Sequence, residues 1–336
     1  MPTARASPGP PTPMSSWAPS ASGCSDVARR RDRGPTIDGV LVVDKPAGMT
    51  SHDVVAAVRH MAGQRKVGHT GTLDPDATGV LVVCLGRATR LARFLQAGSK
   101  TYTATIVFGQ ATSTQDASGE VIAEADASGV TREQVAAALA GLTGDIEQVP
   151  PMVSAVKVDG ERLHEKARRG EEVERAARPV TVHEFVLDDF QPGRRAEAGV
   201  TVICSGGTYV RTLAHDVGTQ LGVGAHLSAL RRTANSGFVV EEAETLDALE
   251  RRAQDATFAQ RVLPMVQAVR ALPAVEVDAQ TARAVVLGQP GPARGIEGPY
   301  ALVHDRRLLA VALDEGERAS YQAVFVRPDE VEVGSA

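Results

Sequence analysis

Gly68-His69-Thr70-Gly71-Thr72-Leu73-Asp74-Pro75-Asp76-Ala77-Thr78-Gly79 runs without a break into Val80-Leu81-Val82-Val83-Cys84-Leu85. The first part is rich in turn formers and polar groups and lacks any aromatic residue. It reads as a tight loop. The second part is a continuous apolar run of strand length and reads as a buried strand. A polar loop held against a buried strand is a frequent seat of chemistry. Asp74 is the candidate nucleophile there. Taken alone, an Asp-Pro pair in a loop is equally at home as a turn-starting residue. Asp74, Asp76 and His69 do not reach a metal-binding pattern, because no HxH or HExxH spacing supports them.

Outward from this loop the chain alternates between β-like and helical patterns. Val40-Leu41-Val42-Val43 reads as a strand stopped by Asp44-Lys45-Pro46-Ala47-Gly48. Thr50 or Ser51, with Asp53, signals a helix start. Residues 88–95 are predicted helical, 101–108 a strand, 109–119 a turn-rich loop, and 131–142 a helix capped by Thr131. Strands are predicted over 180–190 and 200–205, a helix over 212–221, and a helical joint over 241–270. Beyond 271, short apolar runs separated by Gly and Pro turns suggest a small β-barrel unit. Residues 1–35, rich in Pro, Ser, Ala, Gly and Arg, are expected to be disordered. Residues 148–178 carry seven bases against six acids and read as a protruding, partly helical, mobile insertion.

The 336 residues and 43% hydrophobic content suit a globular chain with a substantial core. No run is long and apolar enough to span a membrane, and the first residues lack the apolar stretch of a signal peptide. The three cysteines, Cys24, Cys84 and Cys204, form no CxxC pair. That excludes a disulfide framework and a cysteine zinc site, and it points to a reducing, cytoplasmic setting. The net charge of −5 argues against nucleic acid as a partner. However, residues 53–115 hold Arg59, Arg65, Lys66, Arg87, Arg90, Arg93 and Lys100 against only Asp53, Asp74 and Asp76. A local basic face can attract phosphates on an acidic protein, and so can an ordinary arginine-rich surface mimic one.

Six segments in order resemble the TruB-type tRNA pseudouridine synthases: Gly39 to Gly48, Gly68 to Pro75, Lys100-Thr101-Tyr102, Gly144 to Lys157, Cys204 to Thr212, and Gly224 to Arg232. The resemblance covers roughly residues 37–235. It implies an α+β pseudouridine synthase fold with a mixed, mostly antiparallel central sheet. A catalytic domain over 36–270 would be followed by a small PUA-like β-barrel domain over 271–336. The implied reaction is isomerisation of uridine-55 in the T-loop of tRNA to pseudouridine, with no cofactor and no metal, by a monomer. Implied catalytic residues are Asp74, Tyr102 (stacked on the base and a proton acceptor) and Arg211 (paired with the aspartate). Implied RNA contacts are His69, which fills the place of the extruded base, Tyr209 and Leu230 beside that base, and Lys45 supporting the loop. The 148–178 insertion would clamp RNA. Asp116 is expected to help arrange the site, while Ser113 stands where many relatives carry an aspartate.

Three rival readings follow from the same residues. One is a tRNA-binding folding chaperone without catalysis. The second is a glycoside-bond hydrolase using Asp74 and Asp76, which lie too close in one loop to flank a bond easily. The third is a metal-dependent phosphoesterase.

Overall fold

Alternation of side chains explains why Val40–Val43 and Val80–Leu85 read as unbroken apolar runs. Val40, Val42, Val80, Val82 and Cys84 face one core, and Leu41, Val43, Leu81, Val83 and Leu85 face another. A strand covered on both sides has no wet face to encode. In the computed structural model these runs are β1 (Gly39–Lys45) and β3 (Thr78–Leu85), paired antiparallel along their whole length. The structure describes residues 36–330 apart from 155–156, 159–160, 163–168 and 170–172. The expectations for residues 1–35 and for helix within the insertion therefore lie outside the described residues.

Between them lie α1 (Ser51–Met61) and β2 (Val67–His69). The Thr50 hydroxyl accepts from the Asp53 backbone N–H, and the Asp53 carboxylate accepts from the Thr50 N–H. This reciprocal cap satisfies two orphan donors. After β3 the predicted 88–95 helix is split into a 3-10 turn, Gly86–Leu91, and α2 (Ala92–Ala97). Then come β4 (Lys100–Phe108) and a hairpin of β5 (Gln110–Thr112) and β6 (Val121–Glu124), where only a loop was expected. All four β6 residues are exposed, so no apolar alternation marked that strand. The chain continues through α3 (Arg132–Gly141), β7 (Gly144–Gln148), the short pair β8 (Lys157–Val158) and β9 (Glu161–Arg162), β10 (Arg178–Gln191) and β11 (Glu197–Cys204). Next are α4 (Val210–Gln220), β12 (Ala225–Asn235), β13 (Phe238–Val239), β14 (Glu244–Thr245), α5 (Leu246–Gln254) and α6 (Met265–Ala268).

The central sheet runs β14-β1-β3-β12-β4-β11-β10-β7, with β2 added to β3 and β13 to β12. Only β1–β14 and β3–β12 are parallel. The mixed, mostly antiparallel sheet expected from the resemblance is therefore present. The strand at its centre, β12, was not read as a strand. Its Ser228, Arg231 and Arg232 break the apolar pattern, and two register shifts against β4 break the alternation. Gly79 marks the junction of β3 and β12. It has φ +98, and a Cβ there would lie 2.2 Å from the Arg232 carbonyl oxygen, so only glycine lets the two backbones meet.

The last strands, β15 (Ala274–Glu276), β16 (Gly291–Pro292), β17 (Tyr300–His304), β18 (Arg307–Glu315) and β19 (Arg318–Val324), form a curled half-barrel sheet ordered β15-β17-β18-β19-β16. Between β15 and β16, α7 (Ala279–Val286) is capped by the Asp278 side chain. Ala301, Val303, Leu308, Val311 and Phe325 share one core with Val40, Val42, Val80 and Val82.

Several bases of the basic stretch also hold this architecture together. The Arg87 guanidinium pairs with Asp38 (2.6 Å) and Glu330 (2.8 Å) and donates to the Phe325 carbonyl (2.9 Å). Arg90 and Arg93 donate to the Val324 and Gln322 carbonyls of β19. Arg59 donates to the Val67 carbonyl, and Lys100 is buried on the Gln96 and Gly98 carbonyls. Arg87→Ala is expected to cost about 1–3 kcal/mol, the scale for leaving buried partners unpaired. Urea unfolding would measure it, and an unchanged midpoint would show that the seam does not depend on Arg87.

Candidate active site

The Asp74 loop is pinned from three sides. The Ser51 hydroxyl, at the buried start of α1, donates to the Leu73 carbonyl (3.1 Å) and accepts from the Leu73 N–H (2.9 Å). The Pro75 carbonyl accepts from the Lys45 ammonium (2.8 Å) and the Gly48 N–H (3.0 Å). The Ala77 N–H donates to the Asp74 carbonyl (3.1 Å), closing the turn. The residues on both sides of Asp74 are thus anchored, while its carboxylate keeps 40% of its side-chain exposure and faces the cleft.

Lys45 has no exposed surface, and burial lowers its pKa to about 8. Its second donor contact is the Pro46 carbonyl (2.8 Å). Lys45→Ala is expected to lower stability by about 1–3 kcal/mol and to lower activity through a slack loop. Denaturant melts with parallel turnover measurements would test it, and a variant unchanged in both would refute the anchoring role.

Arg211 is the electrostatic centre of the cleft. It is 5% exposed and is the second residue of α4. Its Nη2 donates to Asp74 Oδ1 (3.3 Å) and to the Val153 carbonyl (2.7 Å), and its Nη1 donates to Asp116 Oδ2 (3.2 Å). The guanidinium also lies 5.9 Å from the Tyr209 ring centroid. Burial pushes the Asp74 carboxyl above its usual range, and Arg211 opposes that rise while Asp116 adds to it. Asp116 is held low despite burial. Its Oδ1 accepts from the hydroxyls of Thr114 (2.6 Å) and Ser118 and from the Ser118 N–H (3.0 Å). Two carboxylates on one guanidinium thus differ in basicity, a pattern that separates a reacting group from a fixed one.

The loop bearing Asp116 is tied to β12 by the Leu227 N–H to the Gln115 carbonyl (3.0 Å) and the Ala117 N–H to the Leu227 carbonyl (2.9 Å). Gln115 sits at φ +65, and its side chain accepts from the Thr212 hydroxyl (2.8 Å). A side chain in that left-handed region beside Asp116 is a local strain that these bonds offset. Ser113 accepts from the Glu120 N–H, a turn contact that needs no second acid.

Tyr102 lies on the buried face of β4, 6% exposed, in the same core as Leu73, with Leu230 packed against that core. Burial raises its phenol pKa. Tyr209 caps the start of α4. Its N–H and carbonyl are both held by the Gln148 amide, at 2.7 and 3.1 Å. Gln148, 3% exposed and the first residue of the 148–178 insertion, is not a catalytic residue type that a sequence would single out. His69 is partly buried on β2, its ring edge-on to His52 at 5.3 Å. Burial lowers its pKa to about 4, so it is neutral at physiological pH. No described contact joins His69 to Asp74. Among the described residues, no group of three or more His, Cys, Asp and Glu is placed to hold a metal ion. No helix among them is long and apolar enough to cross a membrane.

Residues 59–210 match the family described as TruB family pseudouridylate synthase (N terminal domain), and residues 211–270 match the tRNA pseudouridylate synthase B C-terminal domain. The chain belongs to the TruB family. It is a pseudouridine synthase, an isomerase. A relative named tRNA pseudouridine synthase B from Symbiobacterium thermophilum is 56% identical over 75% of this chain and 82% of its own length. Another of that name from Thermobifida fusca is 50% identical over 86% and 98%. A solved Cbf5-Nop10-Gar1 complex contains a chain with TM-score 0.69 and 29% identity, covering 88% of this chain and 87% of that one. All four elements that carry the candidate residues (the Asp74 loop, β4, the Asp116 loop and the start of α4) lie within or at the edge of the first matched stretch.

Proposed function

We propose that this TruB-family enzyme converts uridine-55 in the T-loop of tRNA to pseudouridine with Asp74 as nucleophile. The observation that carries this reading is the Arg211 guanidinium shared by a basic, cleft-facing Asp74 and a fixed Asp116. The relatives at 50–56% identity are named as tRNA enzymes, which supports tRNA as the substrate class.

The reaction breaks the N1–C1′ bond of a uridine, rotates the base, and forms a C5–C1′ bond; C5 then loses its proton. A base inside a folded loop must first be extruded, at a cost of a few kcal/mol. A neutral His69 suits the vacated stack, since an uncharged imidazole is not penalised between bases. Asp74 supplies the covalent partner for the sugar or the ring, and Arg211 keeps it ionised in a dry cleft. Tyr102 stacks on the base and accepts the C5 proton, while Tyr209 and Leu230 bound the base on other sides. Lys45 keeps the loop in shape. Residues 36–270 act as the catalytic domain, with the 148–178 segment closing on RNA through its bases, and 271–336 act as a PUA-like unit. The enzyme works as a cytoplasmic monomer.

Mapping pseudouridine in unmodified tRNA after incubation with the pure protein tests this directly. Pseudouridine at position 55 alone is expected. Formation elsewhere overturns the position, and tRNA binding with no pseudouridine supports the chaperone reading. Binding is expected to weaken steeply with added salt as phosphate counterions are exchanged.

A further inference from the structure

Arg232 is 1% exposed and is the largest fully buried side chain of the described residues. Its Nε donates to the Val80 carbonyl (2.7 Å) and its Nη2 to the Gly71 carbonyl (3.2 Å). Among the described residues, no carboxylate lies within ion-pair distance of it. Its neighbour Arg231 is half exposed and does pair with Asp44, at 2.8 Å. A buried guanidinium with no carboxylate partner is costly to keep, which calls for a use.

The register supplies one. Arg232 stands directly opposite Tyr102 across the β12–β4 pair, so both side chains share one face of the sheet. The guanidinium lies beside the phenol and favours its ionised form against the effect of burial. Other titratable groups acting on Tyr102 are Cys204 on β11 and Asp74 in the loop, and Lys100, two residues earlier on β4, lies on the same face of the strand. Lys100 is committed to the Gln96 and Gly98 carbonyls, both at 2.8 Å. Burial keeps the Cys204 thiol protonated. Asp74 is an anion and works against a phenolate. Arg232 is therefore the cation that the fold assigns to Tyr102. It also touches both ends of the nucleophile loop, through Gly71 and through the backbone contact at Gly79.

We propose that Arg232 is a positioning residue for Tyr102, holding the phenol against the Asp74 loop and stabilising its oxygen as an anion, so that it accepts the proton leaving C5 of the rotated uracil. This rests on the reading of Tyr102 given under Proposed function. In that step the C5–H bond breaks and its electron pair forms the C5–C6 double bond; the C6–N1 π pair moves onto N1, which takes a proton from water, and the C5 proton converts phenolate to phenol.

The test compares Arg232→Lys and Arg232→Gln, each in the parent and in a Tyr102→Phe background. Single-turnover rates from neutral to alkaline pH, tRNA dissociation constants and melting temperatures are read for each. Arg232→Gln is expected to slow the neutral-pH rate by about tenfold. It recovers at alkaline pH with tRNA affinity unchanged. Arg232→Lys keeps most of the rate because it keeps the charge. Neither change slows the Tyr102→Phe enzyme further. A full additional loss in the Tyr102→Phe background, or a slower rate with an unmoved pH profile, overturns the proposal. Should Arg232→Gln fail to fold, the lysine variant in the two backgrounds decides by the same criteria. If Tyr102→Phe itself runs at the parent rate, the Tyr102 reading falls first, an outcome distinct from failure at Arg232.

Discussion

Asp74→Asn is expected to abolish pseudouridine formation while leaving tRNA affinity within a factor of about two. The loss is expected to reach on the order of 10⁴-fold or more, the scale for removing a covalent nucleophile from a concerted site. The amide matches the carboxylate in size, and the loop is held by its neighbours: Ser51 on Leu73, Lys45 and Gly48 on Pro75. The shape of the loop is therefore expected to be retained, and only the proposed nucleophile to be lost. Folding stability gives an independent readout. The Asp74 carboxyl is raised in the folded state by burial. A raised group favours folding below its unfolded pKa, and that benefit is lost as pH rises through the folded pKa. At neutral pH the parent therefore bears a cost that asparagine removes. The melting temperature of Asp74→Asn should stand at or above the parent value. Near-parent turnover in this variant would reject the nucleophile assignment.

Arg211→Gln should lower single-turnover rates at neutral pH by about 10²–10³-fold, comparable to loss of one preorganised charge stabiliser. Without the guanidinium, burial and the Asp116 charge both push the Asp74 carboxyl further up. Less of it is then ionised at neutral pH, so the acid limb of the pH–rate profile moves to higher pH and activity recovers partly on the alkaline side. Arg211→Lys keeps the charge but cannot reach Asp74, Asp116 and the Val153 carbonyl at once, so it should fall between. A profile whose acid limb does not move would show that Arg211 does not set the ionisation of Asp74.

Much of this was legible in the chain because local rules and tertiary demands agreed. The Thr50–Asp53 cap, the two-sided β1 and β3 runs, and the Thr131-capped α3 all formed where their patterns placed them. The candidate residues Asp74 and Arg211 met, although 137 positions apart, with Asp116 as the third member. Reading failed where a residue's partner is another strand. β12 carries arginines at the centre of the sheet because Arg232 is satisfied by carbonyls of β3 and its preceding loop. In the β5–β6 hairpin, β6 has no buried residue to leave a pattern, and β5 is only three residues long. Arg87, Arg90 and Arg93 of the basic stretch hold residues 322–330, a structural use that no local pattern shows, while Arg90 and Arg93 stay exposed.

By itself, the sequence determined which segments are strands or helices wherever burial imposes a period. It also determined that a turn-rich loop carrying Asp74 must sit against a doubly covered strand. Ordered motifs were enough to indicate the family. Only the tertiary structure decided the electrostatics: that Arg211 is buried between two carboxylates of unequal basicity, that Gln148 clamps Tyr209, and that Arg232 faces Tyr102 with no acid of its own. The physical reason is that charge state and hydrogen bonding depend on burial and distance across the sheet. Those are set by which strands lie side by side, and no local spacing encodes that order.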